Sequence, residues 1–281
     1  MVTALLLLLL MAWMPVAAQN PFKQLMHETD PAYFKTDEAR QVGDQLLLYQ
    51  RVTGGWPKNI DMARPLTSDE QAQLLIDKEK PDDSTTDNDA TNIQMMFLAR
   101  LYQNTKDRRY REGFRKGVEY LLSGQYENGG WPQFWPEMHG YQIHITFNDD
   151  AMVNTLNLFR DMIAQKEPYQ GDLTDQALRK RMEKAFDKGI DCILATQIVK
   201  DGELTVWCQQ HDRYTSYSYC VVLLRSDTDG DGAHHHGHRQ KAHNSPNRRN
   251  GPKSAQHVGL SPDAYPDHNC HDFLHVQSYS P

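Results

Sequence analysis

The sequence predicts an all-α fold, a toroid or bundle of helical hairpins, on three observations. Apolar residues recur at helical spacing between Ala39 and Ile193, and no stretch alternates as a half-buried strand would. A signature recurs after the helices: Gln50 is followed by Gly54-Gly55-Trp56-Pro57 and Gln125 by Gly129-Gly130-Trp131-Pro132. A looser third copy runs from Gln197 through Gly202 to Trp207, with four extra residues. The glutamines are 75 and then 72 residues apart, more than one hairpin requires, so each unit must also carry long surface loops. Finally, Gly-Gly supplies the positive φ that favours a helix C-terminus, and the proline after Trp cannot re-enter a helix without losing a donor.

Along the chain, residues 2–18 are apolar and end in Val16-Ala17-Ala18, small residues where a signal peptidase reads. Residues 1–18 are therefore expected to be a signal peptide, although no Lys or Arg stands at its head. The mature chain is expected from near Gln19, secreted or periplasmic, with no membrane association after cleavage because no second long apolar run follows. The stripe Ala39, Val42, Leu46 and Tyr49 predicts a helix capped by Thr36, and Ile93, Met96, Phe97 and Leu101 a second. Tyr110, Phe114, Val118 and Leu121 follow the N-cap Asp107. Met152, Leu156, Phe159 and Ile163 come next, then Leu178, Met182, Ala185, Gly189 and Ile193 behind Thr174. Such stripes are core rather than cofactor boxes. Pro65 to Asp89, dense in Pro, Asp, Ser and Thr, reads as a loop on the active-site side containing one short helix around Leu74-Leu75-Ile76.

The formal charge of −7 argues against nucleic acid as a partner. Four cysteines are few for an exported disulfide scaffold and lack metal-ligand spacing. Cys192 sits on an apolar helical face as a buried thiol, and a pairing with Cys208 remains open.

Two acidic helix entrances concentrate oxygen donors: Asp87-Asn88-Asp89-Ala90-Thr91 and Asn148-Asp149-Asp150-Ala151-Met152. N-capping accounts for one Asx residue at each. Three at both make a hard-oxygen site suited to Ca²⁺. Lys58 and Asn59 add a cation and an amide just after the first Trp-Pro. The tryptophans either cap helix ends or stack on a ligand, and Trp135 beside Trp131 favours a platform in the central copy.

Gly54-Gly55-Trp56-Pro57-Lys58-Asn59, Asp87-Asn88-x-Ala90-Thr91, Gln125 to Trp135, Thr146-Phe147-Asn148-Asp149 with Ala151-Met152-Val153-Asn154, and Gly202 to Asp212 together resemble the family-10 pectate lyases. The likeness runs from about Gln41 to Asp212. It implies an (α/α)₃ toroid over residues 19–212, incomplete as a toroid, and Ca²⁺-dependent β-elimination on polygalacturonate by a monomer. By motif position it implies Asp87 and Asp149 as metal ligands. Asn88 and Asn148 would support them, Lys58 and Asn59 would hold a uronate, and Trp131 and Trp135 would line the sugar cleft.

After Asp212 the likeness stops. Residues 213–281 hold nine of the 13 histidines, five prolines and no glutamate, and show no sustained apolar period, the composition of a disordered or frame-shifted tail. The family's base is an arginine in its C-terminal third, and no motif carries that role to Arg213 or Arg225. Asp227-Thr228-Asp229-Gly230-Asp231-Gly232 opens like a Ca²⁺ loop without its closing glutamate, and His234-His235-His236-Gly237-His238 is a generic chelator. Three functions stay open: a pectate lyase, a polyuronate-binding remnant without its base, and a hydrolase using Asp87 and Asp149 as acid and base.

Overall fold

The computed structural model describes residues 21–200 and 202–214. The expected signal peptide and the segment from residue 215, with its acidic and His-rich motifs, lie outside the described residues. Among the described residues seven α-helices carry the fold: α1 (Pro21–Leu25), α2 (Asp37–Tyr49), α3 (Ser68–Asp77), α4 (Asn92–Thr105), α5 (Arg108–Ser123), α6 (Ala151–Ile163) and α7 (Gln176–Thr196). The strands are two-residue pieces: β1 (Ile145–Thr146) pairs antiparallel with β4 (Gln210–His211), and β2 (Val199–Lys200) with β3 (Glu203–Leu204). The all-α expectation holds. No helix among the described residues is long and apolar enough to cross a membrane.

The predicted stripes form the buried faces, except that Met96, Ile163 and Ile193 are only partly buried. Ala39, Val42, Leu46 and Tyr49 of α2 and Tyr110, Phe114, Val118 and Leu121 of α5 are all in the core. Helix α4 is buried nearly all round, with Ile93, Met95, Phe97, Leu98, Ala99 and Leu101 inside, as a helix surrounded by neighbours must be. It turns into α5 through Lys106, which is left-handed, and Asp107, whose carboxylate accepts the Arg109 amide at 2.9 Å. Thr36 caps α2 as expected. The cap of α7 is Asp175 rather than Thr174, because it is the Asp175 carboxylate that meets the Leu178 amide, at 2.8 Å. Helix α3 opens with a capping box between Thr67 and Glu70 and packs on α2. Cys192 and Cys208 are buried and not joined by a disulfide; burial pushes the Cys192 thiol up to about 11.

Helices α2, α5 and α7 end alike, and the resemblance extends to single hydrogen bonds. After α2 the chain reverses through Arg51 and Gly55, which exchange a bond at 3.0 Å; after α5 Tyr126 and Gly130 do the same at 2.8 Å. After α7 the equivalent residues are Ile198 and Val206, with the β2–β3 hairpin between them as the four extra residues. Each tryptophan then folds back, so that Trp56, Trp131 and Trp207 donate Nε1–H to the carbonyls of Leu46, Leu121 and Ile193 at 2.8, 2.7 and 2.7 Å. Each acceptor lies four residues before the repeated glutamine, in the last turn of its helix. The Gly-Gly pair therefore does not end the helix, as its composition implied. The helix ends at or just before the glutamine, and Gly54 (φ +96°) and Gly129 (φ +91°) close the tight turn beyond it.

Candidate active site

The site forms where the Trp-Pro loops meet the two acidic turns, Asp87–Asp89 before α4 and Asn148–Asp150 before α6. Thr85 holds these pieces in register. Its backbone bridges Trp56 on one side and Phe134 on the other, and its hydroxyl donates to the Gln133 carbonyl at 2.6 Å. The Asp87 amide donates to that hydroxyl at 3.0 Å, while Thr91 donates to the Thr85 carbonyl at 2.8 Å and accepts the Trp56 amide at 3.1 Å. These bonds hold Thr91, a β-branched residue, at φ +66°, a conformation it adopts only under tertiary constraint. Asn88, Asp89, Asp149 and Asp150 are left-handed as well.

This backbone decides what the acidic residues do. Neither Thr91 nor Asp150, the residues at the cap positions of α4 and α6, makes a side-chain cap bond. Asp87 and Asp149 are thus turned away from capping and toward one another. Asp87 is 1% exposed, and its Oδ2 accepts from Lys58 and, at 2.7 Å, from Gln133. Burial opposes ionisation of Asp87, but its contacts with Lys58, Asp149 and Gln133 outweigh that and hold its carboxyl below the usual range. Asp149 moves the other way: partial desolvation and then the facing Asp87 carboxylate raise it. Two carboxylates in hydrogen-bonding reach, with Asp87 Oδ1 lacking any bonded donor, need a proton or a cation between them.

Of the residues expected at the site, six come together. Lys58 pairs with Asp87; Asn88 donates to Asn59 at 3.1 Å; Asn148 donates to Asp149 at 2.7 Å. Asn59 and Asp149 are exposed, and Lys58, Asn88 and Asn148 are half-buried, so they form the rim above a floor of Asp87 and Gln133. Trp131 and Trp135 do not line the cleft. Trp131 is 1% exposed, with its edge against Phe159, and Trp135 is 3% exposed, stacked on Tyr120 at 4.1 Å, with Nε1–H on the Tyr120 carbonyl. Both rings are consumed in covering helix ends, so the platform expected there is corrected to a core role.

The aromatic ring that does reach the rim is Phe134, half-buried, with Lys58 Nζ 5.5 Å from its centroid. Gln133 and Phe134 lie between Trp131 and Trp135, and their spacing alone does not single them out beside the two larger rings. Asp89, the third residue of the first acidic turn, is held from two sides. It accepts from Asn154 at 3.2 Å and from Lys23 at 3.1 Å, which ties α1 and α6 to the acidic turn. No sequence spacing points to Lys23, which lies 66 residues away.

The donor set fits a hard cation only in part. Asp87 Oδ1 and the Asp149 carboxylate offer oxygens of the kind Ca²⁺ takes. Among the described residues, however, no three His, Cys, Asp or Glu side chains cluster as metal ligands. Ca²⁺ takes six to eight oxygens, so such an ion would draw the remainder from water and from a ligand's own carboxylates.

No curated protein matches the chain. Family 10 polysaccharide lyase from Cellvibrio cellulosa, solved as a mutant in complex with trigalacturonic acid, is similar at 32% identity and a TM-score of 0.58, over 70% of this chain and 57% of that one. The same lyase in a second structure is similar at 31% identity and a TM-score of 0.57, over 70% and 55%. The chain thus spans a little over half the length of these structures. The profile of the pectic acid lyases matches residues 50–220, which contain both acidic turns, Lys58 and all three tryptophan loops, and the chain belongs to that family.

Proposed function

We propose that the chain is a pectate lyase acting on de-esterified polygalacturonate with Ca²⁺, and that it works outside the cytoplasm after loss of residues 1–18. The observation that carries this reading is the facing pair Asp87 and Asp149, one buried and one at the rim, with Lys58 beside them. A Ca²⁺ ion, when bound, would neutralise the uronate carboxylate and so acidify the adjacent C5 proton. The chain's own residues do the rest of the positioning. Gln133 and Lys58 keep Asp87 ionised, Asn148 orients Asp149, and Lys58 and Asn59 present a cation and an amide to a neighbouring uronate. Phe134 offers the apolar face against which a sugar ring rests. The complex of the Cellvibrio lyase with trigalacturonic acid supports the ligand class.

A second reading, polyuronate binding without turnover, is favoured by one observation. Among the described residues no arginine bonds to Asp87, Asp149 or Lys58. Arg51 is bound to Asp83, and Arg213 lies over Tyr126 and Tyr214. Incubation of the chain with polygalacturonate and Ca²⁺ separates the readings. The lyase releases unsaturated products that absorb in the ultraviolet, whereas the binding protein retains polymer without releasing them. Unchanged polymer affinity in Asp149→Ala would refute both.

A further inference from the structure

The first acidic turn has a counter-charge for each of its two carboxylates. Asp87 pairs with Lys58, and Asp89, two residues on, pairs with Lys23 of α1 at 3.1 Å. The other Asp89 oxygen accepts from Asn154 of α6 at 3.2 Å, so both of its oxygens are engaged. Among the described residues no ion pair reaches Asp149 or Asp150 on the second turn. Asp89 is left-handed and only two peptide units from Asp87, about 7 Å at most between Cα atoms. Even so, no three acidic side chains cluster as cation ligands among the described residues.

Helix α1 is anchored without this ion pair. Phe22 is buried, with its ring edge-on to Phe97 at 6.0 Å, and its amide donates to Asp61 Oδ1 at 3.2 Å. Arg100 of α4 donates to the Met26 carbonyl at 2.7 Å, just past the end of the helix. Beside a buried phenylalanine, an ion pair whose side chains are 38% and 35% exposed adds little to stability. Its charge acts over a longer range. Asp89 lies within a Debye length of Asp87, about 10 Å at 0.1 M salt, so an uncompensated carboxylate there would be felt at the site.

We infer that Lys23 is a positioning residue that acts through Asp89: it cancels the Asp89 charge and, with Asn154, holds that carboxylate away from the Asp87–Asp149 pair, which keeps the site open to an anionic polymer. The inference rests on the proposed action on polygalacturonate. A cation shared by Asp87 and Asp149 keeps coordination positions for the ligand's own carboxylates. A third protein carboxylate would take one of those positions and repel the polymer. Lys58 is committed to Asp87, so the second counter-charge has to come from elsewhere, and α1 supplies it. Lys23 thus sets the balance between cation and polyanion without touching either.

The test titrates the full chain by calorimetry at low ionic strength and one pH above the carboxylate range, first with CaCl₂ alone and then with trigalacturonate at saturating Ca²⁺. One uncompensated charge about 8 Å away in a water-like medium changes affinity roughly two- to threefold per unit of ligand charge. Lys23→Met should therefore bind Ca²⁺ about three- to sixfold more tightly and trigalacturonate at least about twofold more weakly, with Tm unchanged. Both differences should shrink in roughly 0.5 M salt. Lys23→Arg should behave as wild type, and adding Asp89→Asn to Lys23→Met should restore both affinities, because the amide oxygen still accepts from Asn154 and carries no charge. Affinities unchanged in Lys23→Met overturn the inference. So does a fall in both affinities together with Tm, which would make the ion pair purely structural, or a change that persists after Asp89→Asn. A wild-type chain that does not bind trigalacturonate refutes the pectate lyase reading itself, and this inference with it.

Discussion

Trp131→Phe separates a helix cap from a sugar platform. The indole is 1% exposed, donates to the Leu121 carbonyl at 2.7 Å and packs over Gly189 of α7. Phenylalanine keeps the ring contact with Phe159 but leaves that buried carbonyl without its indole donor, at a cost of about 1–2 kcal/mol. Its ring, smaller by roughly 40 Å³, leaves a cavity costing about 1 kcal/mol more at about 24 cal/mol per Å³. The sum of about 2–3 kcal/mol corresponds to a fall in Tm of about 4–12 °C for a domain of this size. Thermal unfolding by circular dichroism should show it, with polygalacturonate affinity unchanged at temperatures where the variant stays folded. Trp56→Phe, an equivalent position, should fall by a similar amount. Phe134→Ala should show the opposite pattern, weaker polymer binding with little change in Tm. A Trp131→Phe variant that keeps its Tm within 1 °C or so and loses polymer affinity would refute the core assignment.

Lys58→Met removes the cation from Asp87 while Gln133 remains, and should cost about 1–3 kcal/mol at neutral pH in denaturant titrations. Because the Asp87 carboxyl is depressed in the folded state, its stabilisation is present above the ordinary carboxylate range and lost as pH falls through the folded value, so the gap to wild type should close in acid. Asp149 is raised, so Ca²⁺-dependent polymer binding should weaken on acidification while free carboxylates are still largely ionised; calorimetry from pH 7 to about 4 checks it, and a flat profile would contradict a shared cation. Gly129→Ala combines a positive φ with a Cβ 1.9 Å from the Lys188 carbonyl oxygen and should destabilise by about 3 kcal/mol or more, whereas Gly202→Ala, also at positive φ but facing open space, should cost only about 1 kcal/mol in the same unfolding assay.

What the sequence determined by itself was whatever depends on local period and local chemistry. The apolar stripes located the helices because a buried face must recur every three to four residues, and the Gln-to-Trp offset showed repeating units because the same local turn follows α2 and α5. The acidic turns were legible as candidate sites because three Asx residues exceed what capping requires. Tertiary structure alone decided where the rings and carboxylates point. Trp131 and Trp135 face helix ends rather than a sugar: Trp131 donates to the Leu121 carbonyl and fits over Gly189 of the following helix, while Trp135 fits over Gly124 at the end of α5 and stacks on Tyr120. Asp87 became the buried floor because Thr85 and Thr91, 0% exposed, pin the two ends of its turn with Asn88 and Asp89 at positive φ between them, while Asp149, on the second turn, stays exposed at the rim. Lys23 reaches Asp89 across 66 residues of chain, and no local pattern encodes an encounter that only the packing of α1 against the core creates.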